Sequence, residues 1–183
     1  VDRILTVEGK KGSLTSGKVV TEHDVLENAW YLDGGRAPVC ISVEAGQADL
    51  FLCSYLGIDR KVKGERTYRL LDAVVEFSRG LPQPGDTIRY HINIEKFVRQ
   101  GDTYLFFFHF DGYIGEEHLI TMTEGCAGFF TEAEIENSGG IILKKEETRI
   151  TPGKTPENYY SFAGFPAGAE SYNEQQLDVL RKG

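Results

Sequence analysis

The chain has 183 residues, 40% hydrophobic and 26% charged, with a net charge of −8 and a pI near 5.1. That length carries one domain with a full core and is short for two. The acidic balance argues against a nucleic-acid surface, because phosphate binding needs Lys and Arg in excess.

Residues 1–20 read as two short strands around a Gly/Lys/Ser turn. Thr21 with Asp24 three residues on is a weak capping signal and predicts a short helix through about Trp30. LDGGRAP, 32–38, is a loop by its Gly-Gly and Pro. It leads into APVCISVEAGQADLFLCSYLGID, 37–59, which predicts one long helix opening after Pro38. Val43, Ala45, Ala48, Leu50, Phe51, Leu52, Cys53, Tyr55, Leu56 and Ile58 cover nearly every face, so this helix is expected to be buried all round. Glu44, Gln47 and Asp49 interrupt the apolar run, and no membrane span is read from it.

After Gly57 the pattern turns to strands. Residues 65–77 are a long β-prone run, closed by the turn at 81–86. In 87–97 Ile88, Tyr90, Ile92 and Ile94 alternate with polar residues, the mark of a half-buried strand. The aromatics of 104–110 imply a strand buried on both faces or lining an apolar channel, and 118–130 is a further strand in which Gly125 and Gly128 allow a bulge or a close approach. A capping box at 131–134 starts a short helix, and 174–181 reads as a last one. A hairpin, one apolar helix and an antiparallel meander predict an α+β chain in the hot-dog arrangement, the sheet wrapped around one long buried helix. Residues 1–145 are assigned to that domain and 146–183 to a linker and C-terminal helix.

Cys40, Cys53 and Cys126 have neither CxxC nor zinc spacing, so no metal site is expected. Sparse cysteines and the absence of a recognisable leader give a cytoplasmic expectation. The start at Val1 and the end on LDVLRKG give the expectation of a piece of a longer protein. Glu44 and Gln47, three residues apart on one helix face, suggest a wet pocket beside that face. Asp49 is expected to pair with Arg69 or Lys61, a role as a second carboxylate of the site being the alternative. His23 is assigned to the capped helix, His91 to a polar strand face, His118 to a strand start and His109 to a hydrogen-bonded strand position.

Four stretches together carry a family resemblance: VEAGQADLFLCSYLGID, KGERTYRLLDAVVEF, GDTIRYHINIEKFVRQGDTYLFFFHFDGYIG and GCAGFFTEAEI. They resemble the first hot-dog of the dehydratase region in polyunsaturated fatty acid synthases, which is similar to the β-hydroxyacyl-ACP dehydratases. The resemblance covers most of 3–142, and the tail resembles the linker toward a second hot-dog. It implies a site shared by two hot-dogs. A His takes the α-proton of a 3-hydroxyacyl thioester, and a helix carboxyl handles the departing hydroxyl. By the family spacing from Pro38 the acid is Glu44, which should hold a proton near neutral pH, and Gln47 matches beside it. Trp30 stands where the family has its His, and Val39 where it has a Gly. Trp30, Val39, Cys40 and Gln47 are the expected substrate-binding positions, and the His is expected from a second hot-dog. The resemblance also implies a substrate on the phosphopantetheine arm of acyl carrier protein and no other cofactor. The carrier and the second hot-dog are the expected partners, and the isolated chain is expected to homodimerise. A structural pseudo-dehydratase is the alternative, and an acyl thioesterase ranks last.

Overall fold

The computed structural model describes residues 1–140, 143–146, 148 and 173–182. Two strands open the chain, β1 (Arg3–Glu8) and β2 (Gly17–Asp24), followed by three short helices, α1 (Val39–Ala45), α2 (Asp49–Leu56) and α3 (Asp59–Val62). Four longer strands come next: β3 (Thr67–Phe77), β4 (Thr87–Gln100), β5 (Thr103–Ile114) and β6 (Glu117–Phe130). Helices α4 (Glu132–Glu136) and α5 (Glu174–Lys182) complete the described elements. The strands form one antiparallel sheet of order β1-β2-β4-β5-β6-β3, the α+β hot-dog arrangement read from the element order.

The chain divides into two compact units, Val1–Asn137 and Ser138–Gly183. In the second, α5 begins with reciprocal hydrogen bonds. The Asn173 N–H donates to Gln176 Oε1 and the Gln176 N–H to Asn173 Oδ1, both at 2.9 Å. Apart from residues 146 and 148, the linker read over 146–172 lies outside the described residues.

Period-two alternation places the core side chains. Ile88, Tyr90, Ile92 and Ile94 of β4 are all buried, as their spacing predicts. In β5, Phe106, Phe108 and Phe110 are buried, whereas Phe107 and His109 fall on the other face and are only half-buried. The aromatic run is therefore not buried on both faces. The Lys96 ammonium lies 4.7 Å from the Phe107 ring and covers it from the solvent side.

The helix predicted over 21–30 does not form. β2 continues through Asp24, and each residue from Gly17 pairs with β4. Glu22 joins Arg3 at 2.9 Å to Arg89 at 2.8 Å across the sheet surface. An eight-residue ladder outweighs a one-turn capping signal, because tertiary pairing overrides weak local propensity. The stronger capping box at Thr131 and Glu134 does form, starting α4.

The long helix also departs from its reading. It breaks at Gly46, Gln47 and Ala48, where the Gly46 and Gln47 N–H groups reach back only three residues, to Val43 O at 3.1 Å and Glu44 O at 3.0 Å. A Cβ on Gly46 would stand 2.6 Å from the Phe110 ring, so the ring fills the space a side chain would need. Glycine is required by that approach and weakens the helix at the same place. Gly57 ends α2 in the left-handed region, at φ 106°. By length and composition alone the stretch Val39–Leu56, with mean hydropathy 1.2, would be long enough to cross a membrane, a test that the core helix of a soluble protein passes as well. Here it is broken midway and lies against β2 and β4.

Nor is this segment buried all round. Ser42, Ala45, Asp49, Leu52, Cys53 and Leu56 are buried, whereas Val39, Cys40, Glu44, Leu50 and Phe51 are exposed. One open sheet covers one side of a helix and leaves the other uncovered.

Candidate active site

The open side of the broken helix gathers most of the expected site residues. α1 starts at Pro38 with no side-chain cap. It is fixed from beneath by Tyr90, whose hydroxyl donates to the buried Ser42 carbonyl at 2.6 Å. The Tyr90 ring meets Phe110 edge-on at 5.7 Å. With α1 held that way, Cys40, Glu44, Gln47 and Phe51 follow one another at helical spacing, with Val39 at the start, 50% exposed. Gln47 is half-buried and Glu44 exposed. Trp30 stands in the preceding loop, 89% exposed, edge-on to Tyr31 at 5.7 Å. Tyr31 Oη is 2.9 Å from His23 Nε2, and His23 Nδ1 is 2.9 Å from Asp2, which places His23 in β2 and not in a helix.

The desolvated carboxyl of this helix is Asp49, not Glu44. Asp49 is 0% exposed, and neither carboxylate oxygen meets a partner at hydrogen-bonding geometry. The expected pairing with Arg69 or Lys61 is therefore not made. Burial pushes Asp49 up to about 8. The N–H groups of Leu50 and Asp49 offset this only in part, and charge on Glu44 adds to it. From β3, Tyr68 stacks on Phe106 at 6.4 Å, and its hydroxyl is likewise buried without a partner. Burial raises the Tyr68 phenol, and charges on Asp49, Cys53 and Glu44 raise it further. The Cys53 thiol, also fully buried, is pushed up by burial first and by Asp49 next. Charge on Glu44 thus reaches Asp49 and Tyr68, and charge on Asp49 reaches Tyr68 and Cys53. A signal for Asp49 was present in the sequence: it shares the spacing 49, 52, 53, 56 with Leu52, Cys53 and Leu56, the buried face of α2.

The other three histidines are engaged on the sheet. His109 is 3.0 Å from Glu95, the hydrogen-bonded strand position expected of it, beside a groove of about 360 Å³ shared with Glu8, Lys18 and Asn93. His118 lies 2.8 Å from Ser78 and from Thr121, and His91 meets Tyr113 edge-on at 5.7 Å. Among the described residues, no group of three or more His, Cys, Asp and Glu could hold a metal ion.

No family model matches the chain. It is 36% identical over 184 residues to a subunit of the polyunsaturated fatty acid synthase of a Thraustochytrium species, a match covering 98% of this chain and 12% of the relative. The chain thus spans about an eighth of that relative's length. Among solved structures it resembles the dehydratase heterocomplex ApeI:P from Xenorhabdus doucetiae at a TM-score of 0.52 and 13% identity, over 76% of this chain and 88% of that one. The zebra fish thioesterase superfamily member 2 matches at a TM-score of 0.46 and 15% identity, over 69% and 79%.

Proposed function

This chain has the hot-dog fold and is a relative of one segment of a polyunsaturated fatty acid synthase, and we propose that it is one half of a 3-hydroxyacyl dehydratase. The observation that carries the reading is the open strip running from α1 into the helix break, which presents Glu44 and Gln47 beside the exposed apolar Val39, Leu50 and Phe51. A second hot-dog laid over that strip would bury the strip's apolar residues and bring a His to face Glu44. That His takes the α-proton of a 3-hydroxyacyl thioester. The electron pair released forms the new double bond, and the C3–O bond breaks as Glu44 delivers its proton to the leaving oxygen. Water and the enoyl thioester are the products. Val39, Cys40 and Gln47 border the acyl group, and the substrate arrives on the phosphopantetheine arm of an acyl carrier protein in the cytoplasm.

The test is dehydration of a 3-hydroxyacyl thioester by this chain joined with its partner hot-dog. Glu44→Gln is expected to lower turnover at least 100-fold with the fold intact. Unchanged turnover would refute the assignment of Glu44. The outward, 89% exposed Trp30 at the family's His position favours a second reading, a structural pseudo-dehydratase that supports a catalytic neighbour. That reading expects Glu44→Gln to be silent while removal of the whole domain abolishes activity.

A further inference from the structure

A second cluster of reactive side chains stands on the face of the sheet turned away from the helices. Phe110 faces the helix break at Gly46, so Asp111, next along β5, points to the opposite face. Thr121 of β6 is its cross-strand partner. Thr121 Oγ1 donates to Asp111 Oδ1 at 2.7 Å, which uses the only proton the hydroxyl has. His118 Nε2 lies 2.8 Å from Thr121 Oγ1 and 3.4 Å from Asp111 Oδ1. A carboxylate only accepts and the Thr121 proton is already given, so Nε2 carries the ring proton. In the neutral ring Nδ1 is then the acceptor, and the Ser78 hydroxyl 2.8 Å away donates to it. Donation runs in one direction, from Ser78 to His118 to Thr121 to Asp111.

The two segments that carry Ser78 and His118 are tied to each other. Ser78 follows the edge strand β3 and is exposed, and its N–H donates to Leu119 O at 2.9 Å. Arg79, the next residue, pairs at 2.5 Å with Glu117, the residue before His118. The Tyr113 ring meets His118 edge-on at 5.2 Å. A hydroxyl facing a fixed base, itself oriented by a third group, is the arrangement that activates a nucleophile. We propose that Ser78 is an activated nucleophile with His118 as its base, forming an acyl-accepting site for acyl groups carried as thioesters. The Ser78 N–H is spent on Leu119 and does not steady an oxyanion, so the acyl group must bring a good leaving group, and a thiolate is one. Ser78 Oγ attacks the thioester carbonyl carbon as its proton passes to His118 Nδ1. The new C–O bond forms, the C–S bond breaks with its electron pair on sulfur, and His118 returns the proton to the thiolate. The products are a free thiol and an acyl-serine. Water, deprotonated by the same Nδ1, then attacks the ester carbonyl, releases the acid and restores Ser78. Thr121 and Asp111 touch no reacting atom; they hold the His118 ring and are positioning residues. The site uses neither Glu44 nor a second hot-dog, so it stands apart from the dehydratase reading.

The experiment treats the 183-residue chain with a fluorophosphonate, which phosphonylates base-activated serines, and separately with the butyryl thioester of N-acetylcysteamine. Peptide mapping by mass spectrometry locates the modified serine, and thiol release reports the acyl transfer. Ser13 and Ser54, which bond to Thr15 and Asp59 rather than to a histidine, are internal controls. Ser78 is expected to react at least about 10-fold faster than either control. His118→Gln keeps a polar side chain but no base, and is expected to lower labelling and thiol release at least about 10-fold. Thr121→Val unfastens the ring and is expected to lower both severalfold, whereas Thr121→Ser restores them. The Thr121 pair decides the matter even if His118→Gln fails to fold, which circular dichroism reports. Ser78 reacting no faster than Ser13 and Ser54, or at a rate indifferent to His118→Gln and Thr121→Val, overturns the nucleophile. Phosphonylation of Ser78 without thiol release overturns the thioester as its substrate.

Discussion

Glu44 and Asp49 lie on the two sides of one helix break, Glu44 exposed in the last turn of α1 and Asp49 fully buried as the first residue of α2. Two carboxyl groups five residues apart therefore sit in opposite solvents. Where environments push two titratable groups apart, their roles in proton chemistry can differ as well. Gly46 lies in the break that separates them, and a Cβ there would stand 2.6 Å from the Phe110 ring of β5, so only a residue without a side chain fits that approach.

The buried carboxyl makes stability depend on pH. Asp49 stands at about 8 in the folded chain against 3.8 as its ordinary value. Between those two values the unfolded chain has lost this proton and the folded chain keeps it, so the folded state binds more protons and stability falls as pH rises. The fall is roughly 1.4 kcal/mol per pH unit across that window and ceases above about pH 8. Asp49→Asn removes this dependence. Urea unfolding of the two proteins should give similar stabilities near pH 4 and a variant more stable by about 4 kcal/mol at pH 7. Parallel curves for the two proteins from pH 4 to 8 would mean that Asp49 is not neutral in the folded chain.

Gly46→Ala tests the cause of the break. The new methyl carbon would stand 2.6–2.9 Å from three atoms of the Phe110 ring, which is fully buried and pinned against Tyr90. The gain in helix propensity, about 1 kcal/mol, is smaller than the overpacking cost of about 1–3 kcal/mol. A lower Tm is expected despite the better helix former. A raised Tm would show that Phe110 can give way and that the break is set by something other than this contact.

How far the fold could be read from the sequence follows from the range of each signal. The strand β4 was legible because Ile88, Tyr90, Ile92 and Ile94 repeat at period two over a long run, and the capping box at Thr131 because it is local. The false helix after Thr21 came from an equally local but weaker signal that long-range pairing with β4 overrode. The open face of α1 and α2 was not legible. Val39, Leu50 and Phe51 are apolar, and composition alone cannot distinguish a residue packed under a sheet from one awaiting a partner. Asp49 departs from its reading for a related reason: an acid on a helix suggests an ion pair with Arg69 or Lys61, yet its helical phase matches the core residues Leu52 and Cys53.

Tyr90→Phe should loosen the seat of α1. Removing the hydroxyl takes away a buried hydrogen bond of 2.6 Å and leaves the Ser42 carbonyl without its donor. A loss of about 1–2 kcal/mol is expected in chemical denaturation, with the transition remaining cooperative. If the variant matches wild type to within about 0.3 kcal/mol, water has replaced the hydroxyl and the bond does not anchor the helix.

The sheet predicts association as well. β3 pairs with β6 along one side, and among the described residues no strand pairs with its other side. Leu70, Leu71, Val74 and Val75 of that strand are exposed, Leu71 by 53%, and the open helix strip adds Leu50 and Phe51. An unpaired edge presents a row of backbone donors and acceptors to another chain, and apolar side chains on both of its faces add burial to the gain from pairing. The isolated chain is therefore expected to self-associate with increasing concentration. Leu71→Lys puts a charge on the edge, and in a two-fold pairing it would bring like charges near one another. Sedimentation velocity should show the midpoint of association moving to at least 10-fold higher concentration in Leu71→Lys, while circular dichroism stays unchanged because Leu71 is outside the core. Phe51→Ser tests the helix strip separately. If only Leu71→Lys shifts the midpoint, the contact runs along β3 and leaves Glu44 uncovered; if both shift it, the two surfaces form one interface and the proposed site lies within it. A chain that stays monomeric at every concentration would remove the edge from the argument and leave the helix strip to a different partner.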